Sequence, residues 1–335
     1  MTPEAIVLGV IVLAVTCYAL FGGADFGAGV WEFSTRLKGG QKERALIYRA
    51  IGPVWEANHV WLIFVLVGLW TGFPIAFAAL CRALWLPLFL ALLGIVFRGA
   101  AFAFRSYAQD ADQRLLWEWV FAAASVFAPF FLGASVGALA SGTLAVDASG
   151  GYSGSTLTGW LSLTSFFAGL FAVAACGHLA AVYLTREAHQ TGDVELTELW
   201  RRRALGAGLA MGLLSWVGLG VVATDAPALW EGFRARAVPL VFLSALGGFG
   251  SLGALAARRY LLATGAAALA LGAVVWGWAA AQYPFLIPPA VTIEAAKAPD
   301  SVLWPTIWIV AAGSVLLVPA LGYLFWLFKT SESGD

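Results

Sequence analysis

The stretch Phe21-Gly22-Gly23-Ala24-Asp25-Phe26-Gly27-Ala28-Gly29 decides how this chain is read. It continues an apolar run that starts near residue 5, and it places an acid inside that run. A stretch of about 20 apolar residues is long enough to cross a bilayer as a helix. Charge is costly in hydrocarbon, so an acid at that depth marks a functional position by default. The small residues around Asp25 let a neighbouring helix approach closely, which is one way to keep an acid away from lipid. A second run, Gly52-Pro53-Val54-Trp55-Glu56-Ala57-Asn58-His59-Val60-Trp61-Leu62, opens the next apolar segment and carries a second acid, Glu56.

Composition agrees with a membrane chain. Of 335 residues, 61% are hydrophobic and only 11% charged, and the mean hydropathy is +0.84. Nine apolar segments are expected as helical spans, at residues 5–32, 53–71, 76–98, 117–141, 159–184, 204–224, 238–258, 260–281 and 302–328. Backbone groups in lipid must be satisfied internally, so helices are expected there and open sheets are not. The first segment is read as an uncleaved span whose end, after Asp25, lies at the interface or in a packed interior. The segment boundary at Arg258-Arg259-Tyr260 is the thinnest of the set. Pro87 falls inside the third segment and predicts a kink there. Pro284, Pro288 and Pro289 break the chain before the last span.

Charge placement sets the orientation. Fifteen of the nineteen Lys and Arg gather at one face: Arg36, Lys38, Lys42, Arg44, Arg49, Arg98, Arg105, Arg114, Arg186, Arg201, Arg202, Arg203, Arg258, Arg259 and Lys329. The other face keeps Arg82, Arg234, Arg236 and Lys297. Positive residues stay inside, so the expected arrangement is N-terminus out and C-terminus cytoplasmic. The formal net charge of zero points to no nucleic-acid partner. Trp31, Trp70, Trp117, Trp119, Trp160, Trp200, Trp230 and Trp326 sit near span ends and read as an interface belt. The stripe from Phe127 to Phe131 reads as packing. Cys17, Cys81 and Cys176 lack metal-type spacing and read as small buried hydrophobes.

Asp25, Glu56, Asn58, His59 and Arg98 share the cytoplasmic half in this topology. Glu56 and His59 are three apart and share a helix face, where a carboxylate and an imidazole can hand on a proton. The plainer alternative is a structural ion pair, in which Asp25 or Glu56 neutralises Arg98 or Arg105. His178 reads as a packing or hydrogen-bonding residue. The phrase Cys176-Gly177-His178-Leu179-Ala180-Ala181 occupies the place in spans five to eight that Gly22 to Gly27 occupy in spans one to four. That match suggests a parallel repeat.

With these residues on the page, the chain resembles subunit II of cytochrome bd-type quinol oxidases. The resemblance rests on four stretches: Gly23 to Gly29; Gly52 to Leu62; Val96-Phe97-Arg98-Gly99 with Phe104-Arg105-Ser106; and Tyr283-Pro284 through Thr292-Ile293-Glu294-Ala295-Ala296 to Pro319 and Tyr323. It implies an all-α polytopic membrane protein with two four-helix bundles, residues 1–145 and 155–282, and a peripheral helix with a cytoplasmic tail, residues 300–335. It implies a heme-bearing subunit I as partner, with heme b and heme d (or a further b) held there. Quinol is then the substrate, and a small single-helix subunit and membrane lipid are further partners. Neither heme nor metal is expected on this chain; a structural quinone stays open. The setting it implies is a bacterial or archaeal cytoplasmic membrane. The resemblance puts the family's span-two acid on Glu56, its span-one acid on Asp25 and its arginine after span three on Arg98. His59 and Arg98 would tune proton transfer through the two acids. Family members often carry a further acid three residues before Asp25, where this chain has Gly22. A competing class, a secondary transporter with intramembrane acids, stays open from sequence.

Overall fold

The computed structural model describes residues 2–36, 40–51 and 55–331, with the side chains at 33, 36, 51, 55–57, 106 and 324–331 outside that description. Helices dominate. They run α1 Pro3–Cys17, a π-helical turn Tyr18–Gly22, α2 Gly23–Arg36, α3 Gln41–Ile51, α4 Trp55–Gly72, α5 Pro74–Ala83 and α6 Trp85–Tyr107. They continue with α7 Ala111–Ser141, α8 Leu163–Gln190, α9 Val194–Asp225, α10 Pro227–Gly232, a second π-helical turn Phe233–Ala237, α11 Val238–Ala256 and α12 Tyr260–Gln282. A two-stranded hairpin, β1 Phe285–Ile287 with β2 Val291–Thr292, and the short α13 Ile293–Ala296 lead into α14 Asp300–Ser331. Among the described residues eight helical stretches are long and apolar enough to cross a membrane, and α4 contributes a shorter apolar stretch, Asn58–Gly72.

The helix ends follow from local chemistry. Pro3, Pro74 and Pro227 stand in the first turns of α1, α5 and α10, where the missing N–H costs nothing. Asp110, Ser162 and Asp193 cap α7, α8 and α9 by accepting from the backbone N–H three residues on. Gly142, at φ 72°, ends α7 in the left-handed conformation that suits glycine. Asp225, at the end of α9, accepts from the amide and hydroxyl of Thr164 at 2.8 and 2.7 Å, which ties the two helices together at one membrane face. The loop after α7 is folded too: Asp147 accepts from the amides of Ser149 and Gly151 and from the Ser149 hydroxyl. Those bonds, the hydroxyl first, hold its carboxyl below the usual carboxylate range.

Three expectations are corrected. The third span does not start at residue 76. The backbone breaks at Leu84 (φ −111°, ψ 15°), so α5 is a separate short helix and the long one starts at Trp85. Pro87 therefore stands in the first turn of α6, where its missing donor is harmless, and does not kink a span. Three belt residues are also packing residues: Trp200 is fully buried, Trp160 is buried, and Trp31 meets Trp200 edge-on at 5.8 Å. Trp70, 66% exposed, keeps the belt reading. The Phe127–Phe131 stripe packs as expected, ring on ring, with Phe127 and Phe131 4.8 Å apart and Phe130 5.7 Å from Phe166.

The centre of the molecule is α2, α7 and α8. Half or more of the most apolar stretch of α7 and of α8 is buried, against 6% in α14, which lies at the periphery. Glycine lets α2 settle there. A Cβ on Gly27 would collide with the carbonyl of Cys176 on α8, and one on Gly29 would collide with the Ser125 hydroxyl on α7. The indole N–H of Trp31 then donates to the carbonyl of Gly177 at 2.7 Å. The two phrases that look alike in sequence thus pack against one another.

Candidate functional site

Asp25 and Arg98 meet in the protein interior. Asp25 stands in the first turn of α2, and Arg98 lies midway along α6. Both helices pack against α7, and the long arginine side chain bridges between them. Its guanidinium donates to both carboxylate oxygens of Asp25, at 2.9 and 2.7 Å, and to the Asp25 carbonyl at 3.1 Å. Its remaining edge, Nε, donates to the Ser125 hydroxyl at 3.0 Å, and that hydroxyl donates to the Phe121 carbonyl at 2.7 Å. Phe26 and Phe121 lie against the guanidinium at 5.0 and 4.8 Å. Arg98 is 1% exposed. Two charges so far from water are tolerated because they are paired and their other hydrogen bonds are met.

A second pair repeats the arrangement two helical turns on. Arg105 donates to Glu32 at 3.2 Å, and both are buried. The acids are seven residues apart on α2 and the arginines seven apart on α6, so each pair occupies one face of each helix. Phe121 separates the two layers, 4.8 Å from Arg98 and 5.4 Å from Arg105. The Tyr48 ring of α3 closes the second layer, 3.2 Å from the Arg105 guanidinium carbon. Sequence reasoning named Arg105 as a basic-face residue, as part of the third matching stretch and as a neutralising partner, and did not single out Glu32. The shared spacing of seven was the available signal.

His59 lies beside the first layer. Its ring is 6.2 Å from Phe26, the residue after Asp25, and 6.1 Å from Tyr18 in the π-helical turn. Asn58 is buried next to it. Glu56 heads α4, but its side chain lies outside the described residues. The site therefore gathers Asp25, Arg98 and His59, adds Ser125, Tyr18, Glu32 and Arg105, and leaves the position of the Glu56 carboxyl undescribed. His178 stands apart, on α8 with its ring against Gly208 of α9.

Fold and site first define a class: a multi-span helical membrane protein organised round buried ion pairs. Residues 3–328 match the family model described as cytochrome bd terminal oxidase subunit II, and the chain belongs to that family. A Bacillus subtilis (strain 168) relative, cytochrome bd ubiquinol oxidase subunit 2, is 35% identical over 112 residues, 33% of this chain and 32% of the relative. The Escherichia coli (strain K12) cytochrome bd-I ubiquinol oxidase subunit 2 is 30% identical over 126 residues, 37% of this chain and 32% of the relative. The aligned region thus spans about a third of the length of these curated relatives. Among solved structures, a chain of the bd oxidase from Geobacillus thermodenitrificans superposes with a TM-score of 0.78 at 22% identity, covering 98% of this chain and 99% of that one. At that identity the likeness establishes a shared fold.

Proposed function

We propose that this chain is the non-heme subunit of a membrane-bound terminal quinol oxidase that reduces dioxygen to water. The observation that carries the proposal is the family match, which runs from residue 3 to residue 328. In this reading a subunit I-like partner holds the hemes and the quinol site. The hemes supply the redox chemistry, and this chain supplies packing, dryness and protons. Residues 1–145 and 155–282 form two bundles related by a parallel repeat, and 300–335 a peripheral helix and tail. The exposed setting of α14 supports the peripheral place of the last helix. The N-terminus lies outside and the C-terminus in the cytoplasm.

Reducing one dioxygen to two waters takes up four protons. Drawing them from the cytoplasm, while quinol protons leave outside, separates charge across the membrane. In the proposed path Glu56 is the proton carrier. Asp25 lies along the same path as the fixed counter-charge of Arg98, and His59 and Arg98 tune the carrier. The secondary-transporter reading has less to support it. The family match is to an oxidase subunit, and Asp25 is engaged on both oxygens by Arg98.

The test is Glu56→Gln in the assembled complex, which keeps shape and removes the titratable group. Oxygen consumption per heme is expected to fall by ~10²-fold or more, as for other losses of a positioned acid–base group. Heme content should stay near normal. Wild-type turnover per heme would reject the carrier role.

A further inference from the structure

Two buried polar atoms beside the Asp25–Arg98 pair receive no hydrogen bond from any described residue: the Tyr18 hydroxyl and Nδ1 of His59. An unsatisfied buried polar group costs about 1–3 kcal/mol, so such atoms are rare and call for a reason. These two belong to neighbouring rings, with centroids 6.1 Å apart and planes inclined at 47°. Phe26 meets both rings, with centroids at 6.4 and 6.2 Å. Arg98 lies over Phe26 as well, 5.0 Å from its centroid. The local backbone is unusual as well. Tyr18 opens the π-helical turn Tyr18–Gly22, and such turns cluster at functional positions. Gly22 eases the ring's position: a Cβ there would stand 3.2 Å from Cε2 of Tyr18, a tight contact.

We propose that Tyr18 and His59 hold a bridging water beside the ion pair, with Tyr18 as a positioning residue of the proton path. The proposal rests on the proton-uptake role put forward above. Each of the two atoms lacks a partner among the described residues, and buried waters serve such otherwise unsatisfied polar groups. The phenol donates to the water, and the water donates to Nδ1, which leaves the imidazole proton on Nε2. A proton that reaches the water then passes to Nδ1, and Nε2 releases its own proton onward, so the imidazole ends neutral. Among the described residues, the charged and titratable groups facing this point are Asp25 of α2, Arg98 of α6 and Cys176 of α8. Glu56 lies one helical turn from His59 on α4. The phenol orients the water and takes no proton in the net transfer.

The experiment uses the assembled complex and three variants: Tyr18→Phe, His59→Phe and Glu56→Gln. Tyr18→Phe removes one oxygen and keeps the ring. Its turnover per heme is expected to fall about 10-fold, less than the ~10²-fold loss of the carrier itself, with an altered solvent deuterium isotope effect on oxygen consumption. Redox-induced infrared difference spectra of the unaltered complex should show a weakly bonded water O–H band that shifts in H₂¹⁸O. That band should vanish in both Tyr18→Phe and His59→Phe. If Glu56→Gln is slow while Tyr18→Phe keeps the wild-type rate, isotope effect and band, this inference falls and the proton-uptake reading survives. If Glu56→Gln turns over normally, the reading beneath it falls. Should Tyr18→Phe fail to assemble, the unaltered complex decides, and absence of the ¹⁸O-sensitive band overturns the proposal.

Discussion

At the scale of single residues, the protein spends charge where charge is most expensive and then neutralises it on the spot. Arg98 makes four hydrogen bonds, three to Asp25 and one to Ser125. Removing one partner of a buried pair strands the other, at about 3–5 kcal/mol, whereas replacing both by apolar side chains of similar volume is often neutral. Asp25→Asn is therefore expected to lower the thermal midpoint of the complex clearly, and Asp25→Leu with Arg98→Met to recover most of that loss. Thermal scans of both variants check this. A double variant as unstable as the single one would mean that the pair contributes more than mutual neutralisation. Of this site, sequence revealed Asp25, His59 and Arg98, because a charge or imidazole inside an apolar run is conspicuous. Glu32 escaped notice because an acid at the end of a long run looks like ordinary interface charge. The Asp25–Arg98 pair stood among the alternatives that the sequence left open, whereas the Glu32–Arg105 pair was not legible, since acid and arginine lie 73 residues apart.

At the scale of helices, close approach decides the architecture. Gly27 lets α2 lie directly on the α8 backbone at Cys176. Gly27→Ala puts a methyl where a carbonyl already stands, and nothing flexible is there to yield. Overpacking of this kind costs about 1–3 kcal/mol, and the helices must part to relieve it. The expected result is weaker assembly and a stretched Trp31–Gly177 hydrogen bond, read as a change in indole fluorescence. Gly206, with nothing within 4 Å of an added Cβ, is the control and should accept alanine unchanged. The long apolar helices were readable from hydropathy because length and composition suffice for them. The start of α6 was not, because the window runs through Leu84 without any change of composition, and only the backbone turns there. The short α3 was missed for the opposite reason, since its residues are polar and mimic a loop.

At the scale of the whole molecule, fifteen of the nineteen basic residues on one face predict its orientation. Ser149 and Gln190 are both exposed, at the two ends of the loop-to-helix segment that contains α8. Labelled through single cysteines in a background lacking Cys81, they should react from opposite sides, Ser149 from outside and Gln190 from the cytoplasm. Reaction from one side would refute the crossing by α8. The separation between each acid and its arginine also has a meaning in time. Ribosomes add about 5–20 residues per second, so a gap of 73 residues leaves Asp25 and Glu32 waiting roughly 4–15 s for their bases to be made. Throughout that interval the first span carries uncompensated acid. The nascent chain must shelter it, in water or against other protein, until α6 emerges. Synthesis order thus makes the arrival of α6 the first moment at which either pair can form.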